Sequence, residues 1–365
     1  MMSDRNVEGR RAVPLHAWST DVRVLQFERY RYHQAVGDTW PMTWAADDNM
    51  YAGAGDNRGS PMNFWRIRGG PNWEGKCHQV DWTVDLIDDL PLDPATYCTD
   101  PRVDRKMGIK PAGLIDLAGT LYFAVQTQNY GSEPAFNRQT NIQGWFVTSQ
   151  DYGKTWNLGA SDQNFFTGRL ASCHFLQIGR GEENVLDGCV YAYFPCGYDG
   201  RSYWENGDAV LLGRVQPDAI LDRGAWEFFL GLSGEEARWS HDESKAAYIF
   251  EYPRMTGENH VSYNRYIRRY LMGNYSFITD NLVPRPYHQE QWPDSTLRSQ
   301  LTLFEAPNPW GPWRLFHRDD NWGTYGDYQP SFPPKWMSHA GRTLLMVSSG
   351  TFDDYNFTVQ KLHLA

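Results

Sequence analysis

The sequence predicts an all-β fold. Strand-like runs recur from end to end, separated by Gly, Pro, Asn and Asp, as at 120–126, 190–194, 209–215, 301–304 and 343–347. Aromatic residues, which favour strands, make up 15% of the chain. No long stretch shows the apolar periodicity of a helix. Since no linker rich in Gly or Ser interrupts the 365 residues, we expect a single domain over 1–365.

A turn motif that repeats along the chain predicts the architecture. Residues 149–156, Ser-Gln-Asp-Tyr-Gly-Lys-Thr-Trp, fit the Asp-box pattern Ser-x-Asp-x-Gly-x-Thr-Trp of propeller hairpins. Together with weaker copies, the turn tryptophans fall at 82, 156, 226 and 313, in steps of 74, 70 and 87 residues. Steps of this size predict a five-bladed β-propeller.

The blades are expected at about 34–100, 101–160, 161–235, 236–320 and 321–365. A separate strand within 21–29 has no hairpin partner nearby in the sequence. We expect it to join the last blade and close the ring, because closure removes an open sheet edge.

The first hairpin carries the strongest chemical signal. Two Gly-Asp pairs, at 37–38 and 55–56, flank apolar runs that meet at a turn near residue 47. Folding the runs back places Asp38 opposite Asp56, where paired Cβ atoms lie about 4.5–5.5 Å apart. Two carboxylates this close repel, so that one pKa rises, which suits general acid/base or glycosidase chemistry. The alternative is that each Asp caps a turn beside its glycine. Trp40 and Trp44 are candidates for stacking on sugar rings.

The first strand of each propeller blade lines the central channel, and these strands are expected at 38–43, 109–114, 170–175, 260–266 and 328–333. One polar strand face, unusual unless it lines a wet channel, carries Glu258, His260, Ser262 and Asn264. The alternative for this face is a solvent-facing edge strand. Further substrate-binding candidates in these segments are Lys110, Arg169, His174, Tyr263 and Gln329, with Lys335 close by. For His174, as for His33 and His241, the alternative is a purely structural role.

Composition argues against several classes of function. A net charge of −10 argues against a nucleic-acid partner, which would call for a basic stripe. No run of 18 apolar residues could span a membrane, and the N-terminus lacks a signal-peptide core, so the compartment stays open. Five cysteines are too few for a disulfide scaffold, and no Cys/His cluster has zinc spacing. No cofactor is required, although the many oxygen ligands could hold a structural calcium or sodium ion in the channel.

Several short motifs, taken in order, resemble the five-bladed propellers of the DUF4185-type domain. This group includes glycoside hydrolase family 183, the endo-D-arabinanases. The matching pieces are Gly-Asp-Thr-Trp at 37–40, Gly-Asp at 55–56, Gly-Glu at 257–258, Val-Ser-Tyr-Asn at 261–264, Trp-Gly-Pro-Trp at 310–313 and Pro-Ser-Phe-Pro-Pro-Lys at 330–335.

The resemblance implies a glycosidase whose catalytic pair is Asp38 and Asp56, with Glu258 as a third acid on a later blade. The chain departs from the pattern at His260, where a small residue is expected, and in its many His, Lys and Arg candidates. These departures leave room for an acidic sugar as substrate.

Three functions follow. The first is a monomeric glycoside hydrolase acting on a polysaccharide or oligosaccharide, in which one acid protonates the leaving oxygen and the other is base or nucleophile. The alternative is a polysaccharide lyase on a uronate-containing glycan. Its groups would be Lys110 and Arg169 to neutralise the carboxylate and His260 or Tyr263 to take the proton. The third is a non-catalytic glycan-binding propeller.

Overall fold

The computed structural model describes residues 16–57, 60–74, 80–106, 108–129, 139–278, 298–323, 327–350 and 356–365. Within these ranges the chain is almost entirely β-structure, as the sequence predicted. The α-helix found there is a single turn, α1 (Pro94–Tyr97), capped by the Asp93 carboxylate. Short 3₁₀ turns occur at Gly168–Leu170, Gly181–Asn184, Pro217–Ala219, Arg223–Ala225, Glu243–Lys245 and Pro334–Trp336. No helix within the described ranges has the length and apolar character needed to cross a membrane.

The chain begins with a long strand, β1 (Val24–Val36), and then forms its first antiparallel sheet. The order in that sheet is β2-β3-β4-β5, and its strands are β2 (Met42–Trp44), β3 (Met50–Asn57), β4 (Ser60–Pro71) and β5 (Val80–Asp89). The short leading strand β2 therefore lies at a sheet edge.

The middle of the chain forms the largest sheet, with eleven strands. They are β6 (Ile109–Leu117), β7 (Thr120–Gln128), β8 (Thr140–Ser149), β9 (Phe166–Thr167), β10 (His174–Phe175), β11 (Val190–Cys196), β12 (Ser202–Tyr203), β13 (Gly207–Val215), β14 (Glu227–Ser233), β15 (Glu236–Ser240) and β16 (Tyr248–Thr256). The two-residue strand β12 bridges β8 to β11. Strands β15 and β16 pair with β14 and β13, whereas the sequence had assigned residues 236–256 to the following blade.

Two further sheets complete the fold. One has the order β17-β18-β19-β20, with β17 (His260–Asn264), β18 (Arg269–Ile278), β19 (Arg298–Ala306) and β20 (Arg314–Gly323). The other comprises β21 (Tyr328–Ser331), β22 (Thr343–Ser349) and β23 (Asn356–Leu364), in the order β1-β23-β22-β21. Strand β1 runs antiparallel to β23 from Val24, opposite Leu364, to Val36, opposite Asn356. The first and last strands thus share one sheet.

The hydrophobic core lies between neighbouring sheets, and the Asp-box hairpin shows how it is joined. The Asp151 carboxylate accepts hydrogen bonds from Ser149 Oγ at 2.8 Å and from the Thr155 backbone N–H at 2.9 Å. The turn directs the Trp156 ring edge-on against Phe64 of the first sheet, with ring centroids 4.9 Å apart. Aromatic contacts of this kind add to the free energy of apolar burial. The motif therefore serves packing between sheets.

Gly153 in this turn is expected to be intolerant of a side chain. Its φ is +89°, and a Cβ there would overlap the Phe64 ring. Gly153→Ala should therefore lower the free energy of unfolding by more than the roughly 1–3 kcal/mol of backbone strain alone. Gly188→Ala is the matched control, because Gly188 has φ +77° but open space around its Cβ position. Urea unfolding of both variants measures the difference; equal losses would contradict the packing role.

The leading strands of the sheets contribute to one common pocket, which we call the channel. Its described lining alternates small, apolar and amide side chains: Pro41, Met42, Gly113, Leu114, Phe175, Gln177, His260, Ser262, Ser331, Phe332 and Pro333. These residues belong to, or directly flank, β2, β6, β10, β17 and β21. Asp38, Lys110 and Glu258 precede these lining residues along the same segments of the sequence.

Candidate active site

Asp38 lies shortly before β2, in a bridge with Gly55 of β3. Its backbone N–H donates to the Gly55 carbonyl at 2.9 Å, and the Gly55 N–H donates back at 2.8 Å. A Cβ at Gly55 would overlap Asp38 Oδ1, so glycine is needed there for the carboxyl to lie against the opposite strand. Asp38 is only 4% exposed.

Asp56 and Lys110 form an ion pair beside Asp38. The Lys110 ammonium group, from β6, contacts the Asp56 carboxylate at the end of β3. Both side chains are largely buried, with exposed fractions of 4% for Lys110 and 10% for Asp56. A buried pair of this kind is balanced in charge, and removing one partner leaves the other uncompensated.

The surroundings of Asp38 favour its protonated form. Burial, followed by the charge of Asp56, raises the pKa of Asp38 to about 7. Two groups oppose this shift: the Lys110 charge and the Tyr328 hydroxyl, which donates to Asp38 Oδ2 at 2.7 Å. Asp38 Oδ1 is buried and has no hydrogen-bond partner. The site therefore combines one carboxylic acid that has a free oxygen with one ion-paired carboxylate.

Glu258 is the centre of a second polar cluster. Its side chain is fully buried and receives hydrogen bonds from residues of two sheets and from Ser172 in the bend before β10. Oε1 accepts from Gln126 Nε2 at 2.6 Å, Ser172 Oγ at 2.8 Å and Asn141 Nδ2 at 3.1 Å. Oε2 accepts from the Gln329 amide. Burial nevertheless raises the pKa of Glu258 to about 8, against the opposing effect of these donors.

The pKa of Glu258 predicts a specific pH dependence of stability. Because its pKa is raised on folding, its stabilising contribution is full below the unfolded value near 4.5 and is lost as pH rises through about 8. Relative to Glu258→Gln, the wild type should lose up to about 1.4 kcal/mol of unfolding free energy per pH unit in this window. Urea unfolding from pH 5 to 9 measures the slope; parallel curves for both proteins would contradict the shift.

Two histidines extend the Glu258 cluster into the channel. His174 Nε2 lies 2.6 Å from Ser172 Oγ, and the His174 and His260 rings pack edge to face with centroids 5.0 Å apart. Burial lowers the pKa of His260 to about 4 and that of His174 well below its usual range. Both imidazoles are therefore neutral near pH 7. His174 Nδ1 and His260 Nε2 are buried without a hydrogen-bond partner.

Other predicted site residues lie elsewhere. Trp40, expected to stack on sugars, is 1% exposed and packs against Trp65 and Phe357, because both faces of this hairpin are covered. Trp44 is half-buried and donates to Asp48 at 2.8 Å. Lys335 also contacts Asp48.

Three further candidates take structural positions. The Arg169 guanidinium donates to the backbone carbonyl of Glu243, away from the Glu258 cluster. The Tyr263 ring packs on Tyr270 at 4.8 Å, on the strand face opposite Ser262. Asn264 donates to the Gly341 carbonyl at 2.8 Å and so fixes the hairpin end. His241 contacts the Trp226 carbonyl, and the side chain of His33 lies outside the described residues.

Gln329 was a candidate from the sequence, whereas Tyr328, Ser172, Gln126 and Asn141 were not singled out there. Tyr328 and Gln329 are consecutive, yet they reach Asp38 and Glu258 respectively, because Gln329 has φ +51° and β21 is irregular there. Ser172 could have been found, since it lies two residues before His174 in a predicted channel segment. Gln126 and Asn141 lie on second and third strands and carry no sequence signal.

The described residues contain no group of three or more His, Cys, Asp or Glu side chains arranged to hold a metal ion. Two residues that line the channel have buried polar atoms without a hydrogen-bond partner: Gln177 Oε1 and His260 Nε2.

Comparison with known proteins identifies a family and a fold. The model of the family described as "Domain of unknown function (DUF4185)" matches residues 18–360. No curated protein matches the sequence. A Bacteroides ovatus structure described provisionally as a hydrolase aligns with TM-score 0.53 and 13% identity, over 98% of this chain and 97% of that chain.

Two other solved structures align less well. A GH43_1 enzyme from Xanthomonas citri has TM-score 0.49 and 10% identity, over 94% of this chain and 90% of that chain. An arabinanase from Bacillus subtilis has TM-score 0.47 and 9% identity, over 91% of this chain and 95% of that chain.

Proposed function

The chain belongs to the DUF4185 family, and we propose that it is a glycoside hydrolase that cleaves glycosidic bonds in a polysaccharide or oligosaccharide. The observation that carries the proposal is the pair formed by Asp38 and Asp56. Burial and the charge of Asp56 raise the pKa of Asp38 to about 7, while Asp56 is matched by the Lys110 ammonium group. A carboxyl group with a raised pKa next to a second carboxyl group paired with lysine is an arrangement that suits the acid and the base or nucleophile of glycoside hydrolysis.

In this proposal Asp38 is the general acid. Its raised pKa favours the protonated acid below about pH 7, and its Oδ1 forms no hydrogen bond with the described residues. Tyr328 holds Oδ2 and so fixes the orientation of the carboxyl group. Asp38 donates its proton to the leaving oxygen as the bond to the sugar breaks.

Asp56 is the complementary carboxylate. It acts as base toward water or as nucleophile toward the sugar carbon, and Lys110 stabilises its charge and position. Glu258 is fully enclosed by protein donors, so we assign it a positioning role through Gln329 and β21.

We further propose that the four sheets build five blades around the channel. The channel lining from five leading segments supports this count, with the largest sheet contributing two blades joined by β12. Pairing of β1 with β23 supports closure of the ring by the N-terminal strand. A closed ring holds Asp38 and Glu258 at fixed positions around one axis.

The site favours a neutral glycan over a uronate. Among the described residues, Lys110 is bonded to Asp56, Arg169 to the Glu243 carbonyl and Lys335 to Asp48. Elimination from a uronate needs cationic or polar groups that stabilise the carboxylate and a base near the adjacent proton. The positions of Arg169 and Tyr263 therefore weaken the lyase alternative.

The test is product analysis on a panel of neutral and uronate-containing polysaccharides. We expect new reducing ends without the ultraviolet absorbance of an unsaturated uronate. An absorbing product would show a lyase. Binding of a polysaccharide with no product of either kind would show a non-catalytic module.

A further inference from the structure

Glu258, Ser172 and His174 form a continuous hydrogen-bonded chain. Ser172 Oγ donates to Glu258 Oε1 at 2.8 Å and lies 2.6 Å from His174 Nε2. All three side chains are fully buried. A hydroxyl has one proton and two acceptor lone pairs, so a serine that donates to the carboxylate can only accept from the imidazole. When Glu258 is ionised, His174 therefore carries its proton on Nε2.

The opposite arrangement fits the same positions of the heavy atoms. If a proton binds His174 Nδ1, the Nε2 proton passes to Ser172 Oγ and the Ser172 proton passes to Glu258 Oε1. Glu258 is then a neutral acid that donates to Ser172, and Ser172 donates to Nε2. His174 is neutral in both end states, which agrees with the burial that disfavours imidazolium.

The His174 end of this hydrogen-bonded chain lies against His260, a residue that lines the channel. His174 Nδ1 is buried and makes no hydrogen bond of normal geometry, and the nearby Ala112 backbone partly opposes the lowering of the His174 pKa by burial. The His174 ring packs against His260, whose side chain lines the channel together with Gln177 and Ser262. Because His260 contacts the His174 ring and also lines the channel, the route we infer for a proton between His174 and the channel passes beside His260.

Among the described residues, few titratable groups lie next to the hydrogen-bonded chain of Glu258, Ser172 and His174. His260 faces His174 from β17 and, like it, is held neutral by burial. Tyr275, on β18, is influenced by the charges of Glu258, Glu205 and Asp38, and its hydroxyl donates to the Trp204 carbonyl at 2.5 Å. Cys173, next to His174, is buried, which favours its neutral thiol.

We propose that Ser172 and His174 are a proton relay through which Glu258 exchanges its proton with the channel, and that each change in the charge of Glu258 switches the tautomer of His174. Both residues are positioning residues, since they act on the site through Glu258. The proposal does not rest on the hydrolytic reaction.

The test is ¹⁵N NMR of the full protein labelled at its histidine rings. The His174 signals are assigned as those that are absent in His174→Gln. Glu258 is followed in parallel by the infrared band of its carboxylic acid, assigned with Glu258→Gln. We expect His174 to convert fully from the Nδ1–H to the Nε2–H tautomer as pH rises. The midpoint of this conversion should match the midpoint at which the Glu258 carboxylic acid band disappears.

Two variants make the test specific. In Glu258→Gln the amide oxygen can only accept from Ser172, so His174 should remain Nε2–H at every pH. In Ser172→Ala the His174 tautomer should no longer follow Glu258, whereas the channel variant Ser262→Ala should behave like the wild type. A single His174 tautomer throughout the Glu258 titration, or a switch that persists in Glu258→Gln, would overturn the relay.

Discussion

Asp38→Asn is expected to lower kcat/KM for the preferred glycan by about 10²–10⁴-fold, the usual contribution of a general acid. The amide keeps the size of the carboxyl group and still accepts from Tyr328, so the fold should be retained. What is lost is the proton donated to the leaving oxygen. The measurement is the initial rate of reducing-end formation under subsaturating substrate.

Asp116→Asn is the matched control for Asp38→Asn. Asp116, at the far end of β6, is also fully buried, and burial raises its pKa as well. Its Oδ2 accepts from the Ala46 backbone N–H at 2.6 Å, outside the Asp38 site. We expect nearly wild-type kcat/KM for Asp116→Asn. A similar loss in both variants would point to a general effect of altered buried carboxyl groups.

Lys110→Met is expected to lower the free energy of unfolding by about 3–5 kcal/mol, because the Asp56 carboxylate is left largely buried without its cation. The methionine side chain fills a similar volume, so the loss is mainly electrostatic. The variant should also lose activity across the pH range, since Asp56 loses the group that positions it. Urea unfolding at pH 7 measures the change in stability.

A double-mutant cycle separates this ion pair from packing. Lys110→Met combined with Asp56→Asn removes both charges, so the double variant should be more stable than Lys110→Met alone. Additive losses from the two single changes would show that the pair has no coupling energy. That result would contradict the role of Lys110 in holding the Asp56 carboxylate.

The first hairpin shows how far local sequence patterns reach. Folding about residue 47 correctly predicted the pairing of Met42 with Ala52 and of Trp44 with Met50. Nearer the site the register differs by one residue from the predicted register, so that Asp38 pairs with Gly55 and not with Asp56. The slip accompanies left-handed backbone at Thr39, φ 65°, and Asp56, φ 48°. The predicted electrostatic coupling of the two acids remains, since the charge of Asp56 raises the pKa of Asp38.

The partners of Glu258 could not be predicted in the same way. Gln126, Asn141 and Gln329 come from separate strands in two sheets, and Ser172 lies in the bend before β10, so no local spacing relates the four residues. Trp40 failed as a sugar-stacking candidate for a related reason. Where both faces of a strand are buried, the alternation of apolar residues does not show whether a side chain points into the channel or into the core between two sheets.

The most direct test of Asp38 as the general acid is the pH dependence of kcat/KM for the wild type and Tyr328→Phe. The acid must be protonated, so wild-type activity should fall as pH rises through about 7. Tyr328→Phe removes the hydroxyl that stabilises the Asp38 carboxylate and keeps the ring packed on Trp204. We therefore predict that the alkaline limb moves to higher pH. A limb at the same pH in both proteins would contradict the assignment.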